Sequence, residues 1–261
     1  MSGENVLQAP FRRSWVVTAV AVVVLWRVAA LAWPSSIVTI PDPIRVPIAL
    51  LGVLFVICGV WTWWIRPGRW SAIFLVFALG SGVHWGGTIG AAHTGLELSL
   101  FFIYLAFTTL GEAGLLHLAL IFPREKILGQ STRIALYAVA ALAALVAPIA
   151  GLLPKTILEP MVGLILMFAN LIGLLAGLLF LVSLFRVDSA TRRATRLPLI
   201  VTSMIVATIV ATLGAEGILL QQSDAWNLVY GLVPISLAIA LVSLPHTVEN
   251  ADSDKRGRAH F

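Results

Sequence analysis

Residues 161–185 read MVGLILMFANLIGLLAGLLFLVSLF, a run without one charged side chain. A bilayer core asks for roughly 20 consecutive apolar residues in a helix, and this run is longer. Working outward from it, seven more stretches of the same kind appear: Ser14–Trp33, Arg45–Ile65, Trp70–Thr88, Leu98–Phe122, Ile134–Leu153, Leu197–Leu220 and Trp226–Leu244. They are too continuously apolar for barrel strands, which alternate over about 10 residues. The sequence therefore predicts an all-α, polytopic membrane bundle. Its parts are a tail at residues 1–13, an eight-helix transmembrane domain at 14–245 and a second tail at 246–261.

Composition excludes the main alternatives. Of the 261 residues, 59% are hydrophobic and only 11% are charged, and the mean hydropathy is +0.98. A soluble domain carries about 25% charged residues, so a soluble globular enzyme is ruled out. A disordered or nucleic-acid-binding chain is ruled out as well, although the net charge is +5. The single cysteine, Cys58, lies inside an apolar run. One thiol builds no disulfide framework or metal motif.

Basic residues choose the orientation. With the N-terminus inside, the inner surface collects Arg12, Arg13, Arg66, Arg69, Arg124, Lys126, Arg133, Arg186, Arg192, Arg193, Arg196, Lys255, Arg256 and Arg258, out of 17 Lys and Arg in all. Outside remain Arg45 and Lys155, while Arg27 falls within the first span. Every second loop is basic, so an even number of spans and two cytoplasmic termini support each other, in a bacterial inner membrane. Arg12-Arg13, an apolar run and Ala30-Leu31-Ala32 also have the order of a signal peptide. The late position of Arg27 and the length of the run favour a retained first helix.

Tryptophan marks the boundaries, with Trp15, Trp61, Trp63, Trp64 and Trp70 at the inner interface and Trp33, Trp85 and Trp226 near the outer one. This pattern reads as anchoring, with no binding role needed. Pro34, Pro43, Pro67, Pro123, Pro154, Pro160, Pro198 and Pro245 lie at or near span ends, where helices start and stop. Pro148 and Pro234 are interior and are expected to kink their helices. Small residues around Gly80 and Gly82, and the Gly86-xxx-Gly90 and Gly173-xxx-Gly177 pairs, read as helix contacts.

Ionisable residues inside spans are costly, and they are functional candidates. At about 1.5 Å per residue, Arg27, His84 and Glu216 share a level in the outer half, with Glu112 a turn lower and Glu97 at the outer mouth. A lone arginine at that depth is expensive, so Arg27 is expected to pair with Glu216 or Glu112. The cluster reads as a lock on helix register, as an outward-facing ligand pocket or as a proton path. His117 stands apart, one turn from the inner end of its span. His84 and His117 lie at opposite depths, which excludes a haem clamp between them, and no HExxH spacing is present for zinc. No late span holds a lysine for retinal. No cofactor or metal is expected.

Two stretches carry a family resemblance. Residues 115–126, LLHLALIFPREK, run through His117 into Phe122-Pro123-Arg124, and residues 231–242, GLVPISLAIALV, place Pro234 in the last helix. With the basic loop DSATRRATR at 188–196, they resemble the multi-helix N-terminal membrane region of ComP-like bacterial sensor histidine kinases. The 261 residues hold no phospho-accepting histidine box and no ATP lid. The resemblance therefore implies a stand-alone, non-enzymatic sensor-like domain, which answers a small or lipophilic signal and passes it to a partner. The expected partners are membrane lipid and a protein reached through cytoplasmic loops or helix faces, with no nucleic acid. The other expectations are an accessory or assembly subunit of a larger membrane complex, and a small transporter or lipid-processing enzyme.

Overall fold

The computed structural model describes residues 17–25 except 19 and 22, residues 42–84, 95–122 and 128–186, residues 195–206 except 197, and residues 231–243. Every element among them is helical. The helices are α1 (Asp42–Ile65), α2 (Arg69–His84), α3 (Gly95–Ile121), α4 (Gln130–Val146), α5 (Lys155–Arg186) and α6 (Leu232–Ser243). Helical residues also occur within 17–25 and 195–206, so each of the eight predicted stretches contains some.

Three segments, Gly95–Ile121, Gln130–Leu152 and Thr156–Ser183, are long and apolar enough to cross a membrane. Their outward faces are oily. Leu145 and Leu152 on the α4 side, and Leu164, Met167 and Phe185 on α5, are more than half exposed. Water would make such faces aggregate, whereas lipid tails solvate them. The chain is a helical membrane protein.

Packing follows the small residues. A Cβ added to Gly80 of α2 would stand 2.6 Å from the Cα of Gly111 and 2.6 Å from the carbonyl oxygen of Phe107, both on α3. A Cβ on Gly111 would meet the Ser81 nitrogen at 2.8 Å, and one on Gly114 the Phe77 nitrogen at 2.9 Å. Two backbones thus run almost in contact for more than a turn, because no side chain keeps them apart. On its other side α2 is held against α1, where Gly59 faces the Ala78 methyl and Gly82 faces Val56. The expectation that Gly80 and Gly82 are helix contacts is met. Gly173 and Gly177 are buried in α5, and Gly86 and Gly90 lie outside the described residues.

Around the central α2–α3 pair, α4 and α5 pack on α3, and α6 packs on α1. The fully buried Phe55, Phe74, Phe77, Leu115, Leu118, Phe180, Leu199 and Leu237 form one core linking α1, α2, α3, α5, α6 and the 195–206 segment. Phe102, Leu105, Ala143 and Ala150 form a second core under α4.

The prolines need partial correction. At Pro148 the helix does change, tightening into a 3-10 stretch at Ala147–Leu152. Pro160 is near an end, as expected, but inside the helix. The helix starts at Lys155, so Pro160 lies in its second turn and removes one backbone bond there. Pro234 is not interior to a described helix. It occupies the first turn of α6, where a missing N–H costs nothing because that donor has no helical acceptor.

Candidate functional site

Several of the described buried polar side chains, among them Thr62, Arg66, Ser71 and His117, gather at the end of the bundle where α1 and α3 finish and α2 begins. Pro67 and Gly68 reverse the chain between α1 and α2. Ser71 secures this turn. Its hydroxyl accepts the Gly68 N–H at 3.0 Å and donates to the Arg66 carbonyl at 2.6 Å. A side chain at the third helical position thus reaches back to the residue before the helix, as in half of a capping box.

Arg66, the residue before the turn, is only 6% exposed. Its Nη1 donates to the Leu241 carbonyl oxygen at 2.9 Å, and its guanidinium carbon sits 5.8 Å from the Trp70 ring centre. Leu241 lies in the last turn of α6, where carbonyls lack a helical donor and carry partial negative charge. α1 ends beside the same guanidinium. Arg66 therefore caps α6 while belonging to the end of α1, and the two partial charges and the indole face offset the cost of burying a cation.

Trp70 carries the junction onward. It is 3% exposed, and its ring meets Phe122 edge to face at 5.3 Å. This corrects the reading of Trp70 as an interfacial anchor. Trp61 and Trp64 on α1 do keep exposed rings, but Trp70 is core. Arg66 likewise does more than set orientation. The basic-residue count could not distinguish a buried arginine from a solvated one.

His117 is the second polar element. It is buried, and its Nδ1 lies 2.9 Å from the Tyr137 hydroxyl of α4, with the rings edge to face at 5.8 Å. The charges of Arg69 and Arg133 reach the imidazole. Among the described residues, two buried ring nitrogens at this end, Trp70 Nε1 and His117 Nε2, have no hydrogen-bond partner. Thr202 and Ser236 add a third link, hydroxyl to hydroxyl at 2.6 Å, between the 195–206 segment and α6.

The predicted residues divide as follows. His117 and Phe122 belong to this junction, and Pro234 starts α6, the helix that Arg66 caps. Pro123 and Arg124 lie outside the described residues. Of the outer cluster, Arg27 and Glu216 also lie outside them, so the pairing of Arg27 with Glu216 or Glu112 does too. His84 closes α2, with its side chain outside the described residues. Glu97 is half-buried in the first turn of α3, a position the helix dipole favours for a carboxylate. Glu112 is half-buried beside the Gly80–Gly111 contact. About 22 Å of helix rise separates Glu112 from Glu97, so the two stand at different levels.

Sequence reasoning missed Arg66, Trp70 and Tyr137. A signal existed for Tyr137. It stands seven residues into α4, and His117 four residues before the end of α3, so antiparallel helices bring them to one depth. Comparison of the chain with family models, with curated proteins and with solved structures returns no match.

Proposed function

We propose that this is a non-enzymatic, eight-span protein of the bacterial inner membrane, with both termini in the cytoplasm. It answers a small or lipophilic signal and relays that state to a protein partner at the cytoplasmic face, in the manner of a sensor-kinase membrane domain. The observation that carries the reading is the bond from Arg66 to the Leu241 carbonyl. A relay needs the helix ends to be mechanically linked where the partner sits, and one buried guanidinium ties the end of α1 to the end of α6. Such polar links inside apolar bundles are made or broken as units, so they separate two packings by a discrete energy. The outer residues Arg27, His84, Glu112, Glu216 and Glu97 would take the signal.

Purification of the full chain from native membranes, followed by mass spectrometry, tests this. A kinase or regulator recovered with the wild type and lost with Arg66→Gln is the expected result. Recovery of the chain alone would sink the relay.

One observation favours the accessory-subunit reading. Ala135, Ala138 and Ala141 are exposed within about 120° of one another on α4, a short small-residue face suited to close helix packing. Under that reading the same purification yields a stoichiometric membrane complex, and Arg66→Gln leaves it intact.

A further inference from the structure

The two ends of α4 are held by different means. Among the described helices α3 is its main neighbour, and it barely touches α5. In the apolar stretch of Gln130–Leu152, 28% of the residues are buried, against 50% in that of α3, and they are not spread evenly. Ala140, Ala143 and Val146 are buried, as are Ala147 and Ala150 in the 3-10 stretch that follows. From Gln130 to Val139 no side chain is buried: Leu136, Tyr137 and Val139 are half-buried, and the rest are exposed.

At the far end backbone meets backbone. A Cβ added to Gly151 would stand 2.6 Å from the Gly95 Cα, so the 3-10 stretch and the first residue of α3 touch with no side chain between them. At the Arg66 end the attachment is a bond. The Tyr137 hydroxyl lies 2.9 Å from Nδ1 of the buried His117, and among the described residues this is the one side-chain hydrogen bond of α4. Leu136 and Val139 add only partial apolar contacts, one with each core. A segment with few buried apolar contacts opens at low free energy, and lipid tails receive its apolar face as well as a neighbouring helix would.

We propose that α4 is a swinging arm, pivoted where Gly151 meets Gly95 and latched at the Arg66 end by the bond between Tyr137 and His117. The arm is a lever of about 25 Å from Gln130 to Val146, so a tilt of roughly 10° moves Gln130 by about 4 Å and Tyr137 by about 2.5 Å. A shift of that size takes the hydroxyl out of hydrogen-bond range. Release breaks one bond as a unit, leaves the pivot in place and uncovers the His117 ring, which gives the helix two discrete positions. The swing does not depend on the relay reading, because it needs neither a signal nor a partner.

The test is double electron–electron resonance on the full chain in lipid nanodiscs, with nitroxides on introduced cysteines in a Cys58→Ser background. Two pairs share one reference on α1: Ile57→Cys with Ile134→Cys reports the latched end, and Ile57→Cys with Leu152→Cys reports the pivot, all three positions being exposed. Tyr137→Phe keeps the ring and removes the hydroxyl. It should enlarge a displaced component at the latched end about tenfold, the shift expected for losing one buried hydrogen bond, and leave the pivot distances unchanged. His117→Leu, which removes the partner instead, should do the same. Latched-end distances that stay unchanged in both variants overturn the proposal. An equal displacement at the pivot also overturns it, since the whole helix would then detach.

Discussion

The α2–α3 contact and the junction around Arg66 hold helices together by opposite means. Between Gly80 and Gly111 nothing is present: side chains are absent, and the backbones close to a distance that no Cβ would allow. Around Arg66 the contact depends on what is present, a cation, a carbonyl, an indole face and an imidazole–phenol pair. Lipid tails are as apolar as leucine, so burial alone does not drive these helices together. The first region gains dispersion through close approach, and the second gains directional bonds. Close approach has no alternative geometry, whereas a hydrogen bond can be broken and remade elsewhere. On the relay reading, the glycine contact is the rigid part of the bundle and the junction is the part that changes state.

That contrast can be broken by substitution. Gly80→Leu should have the largest effect. The clash is with backbone, which cannot rotate away, so a loss of about 3 kcal/mol or more is expected, read as a lost thermal transition in detergent. Arg66→Gln should come next, at roughly 1.5–3 kcal/mol for a hydrogen bond to a charged group, with part of it restored in Arg66→Lys. Tyr137→Phe leaves His117 Nδ1 without its partner and should cost about 1–2 kcal/mol, measured as a lowered thermal midpoint with helix content unchanged. Thr202→Val, which removes one interhelical hydroxyl bond, should cost about 0.6 kcal/mol by the same measurement. If Arg66→Gln proved costlier than Gly80→Leu, the rigid and switchable regions would have to be exchanged.

Legibility followed the same divide. The apolar runs announced the helices, and the glycines around Gly80 announced a close contact, because both are properties of residues taken in order. His117 and Phe122 were singled out for their place in a motif, but the contacts they make, with Tyr137 and Trp70, were not. Arg66 and Trp70 were read as topology markers because each type is common at membrane surfaces for reasons unrelated to burial. Hydropathy places Pro234 inside a span, whereas it falls in the first turn of α6, which begins at Leu232.

Sequence by itself determined that this chain is helical and belongs in a membrane, since 59% hydrophobic and 11% charged residues leave no way to cover a water-facing surface. Tertiary structure alone decided which arginine is buried and what it holds. Leu241 lies 175 positions from Arg66, and only the packing of α6 against α1 brings its unpaired carbonyl to the guanidinium. Hydropathy is a sum over neighbours in the chain, whereas the bond that ties the bundle's end together joins neighbours in space.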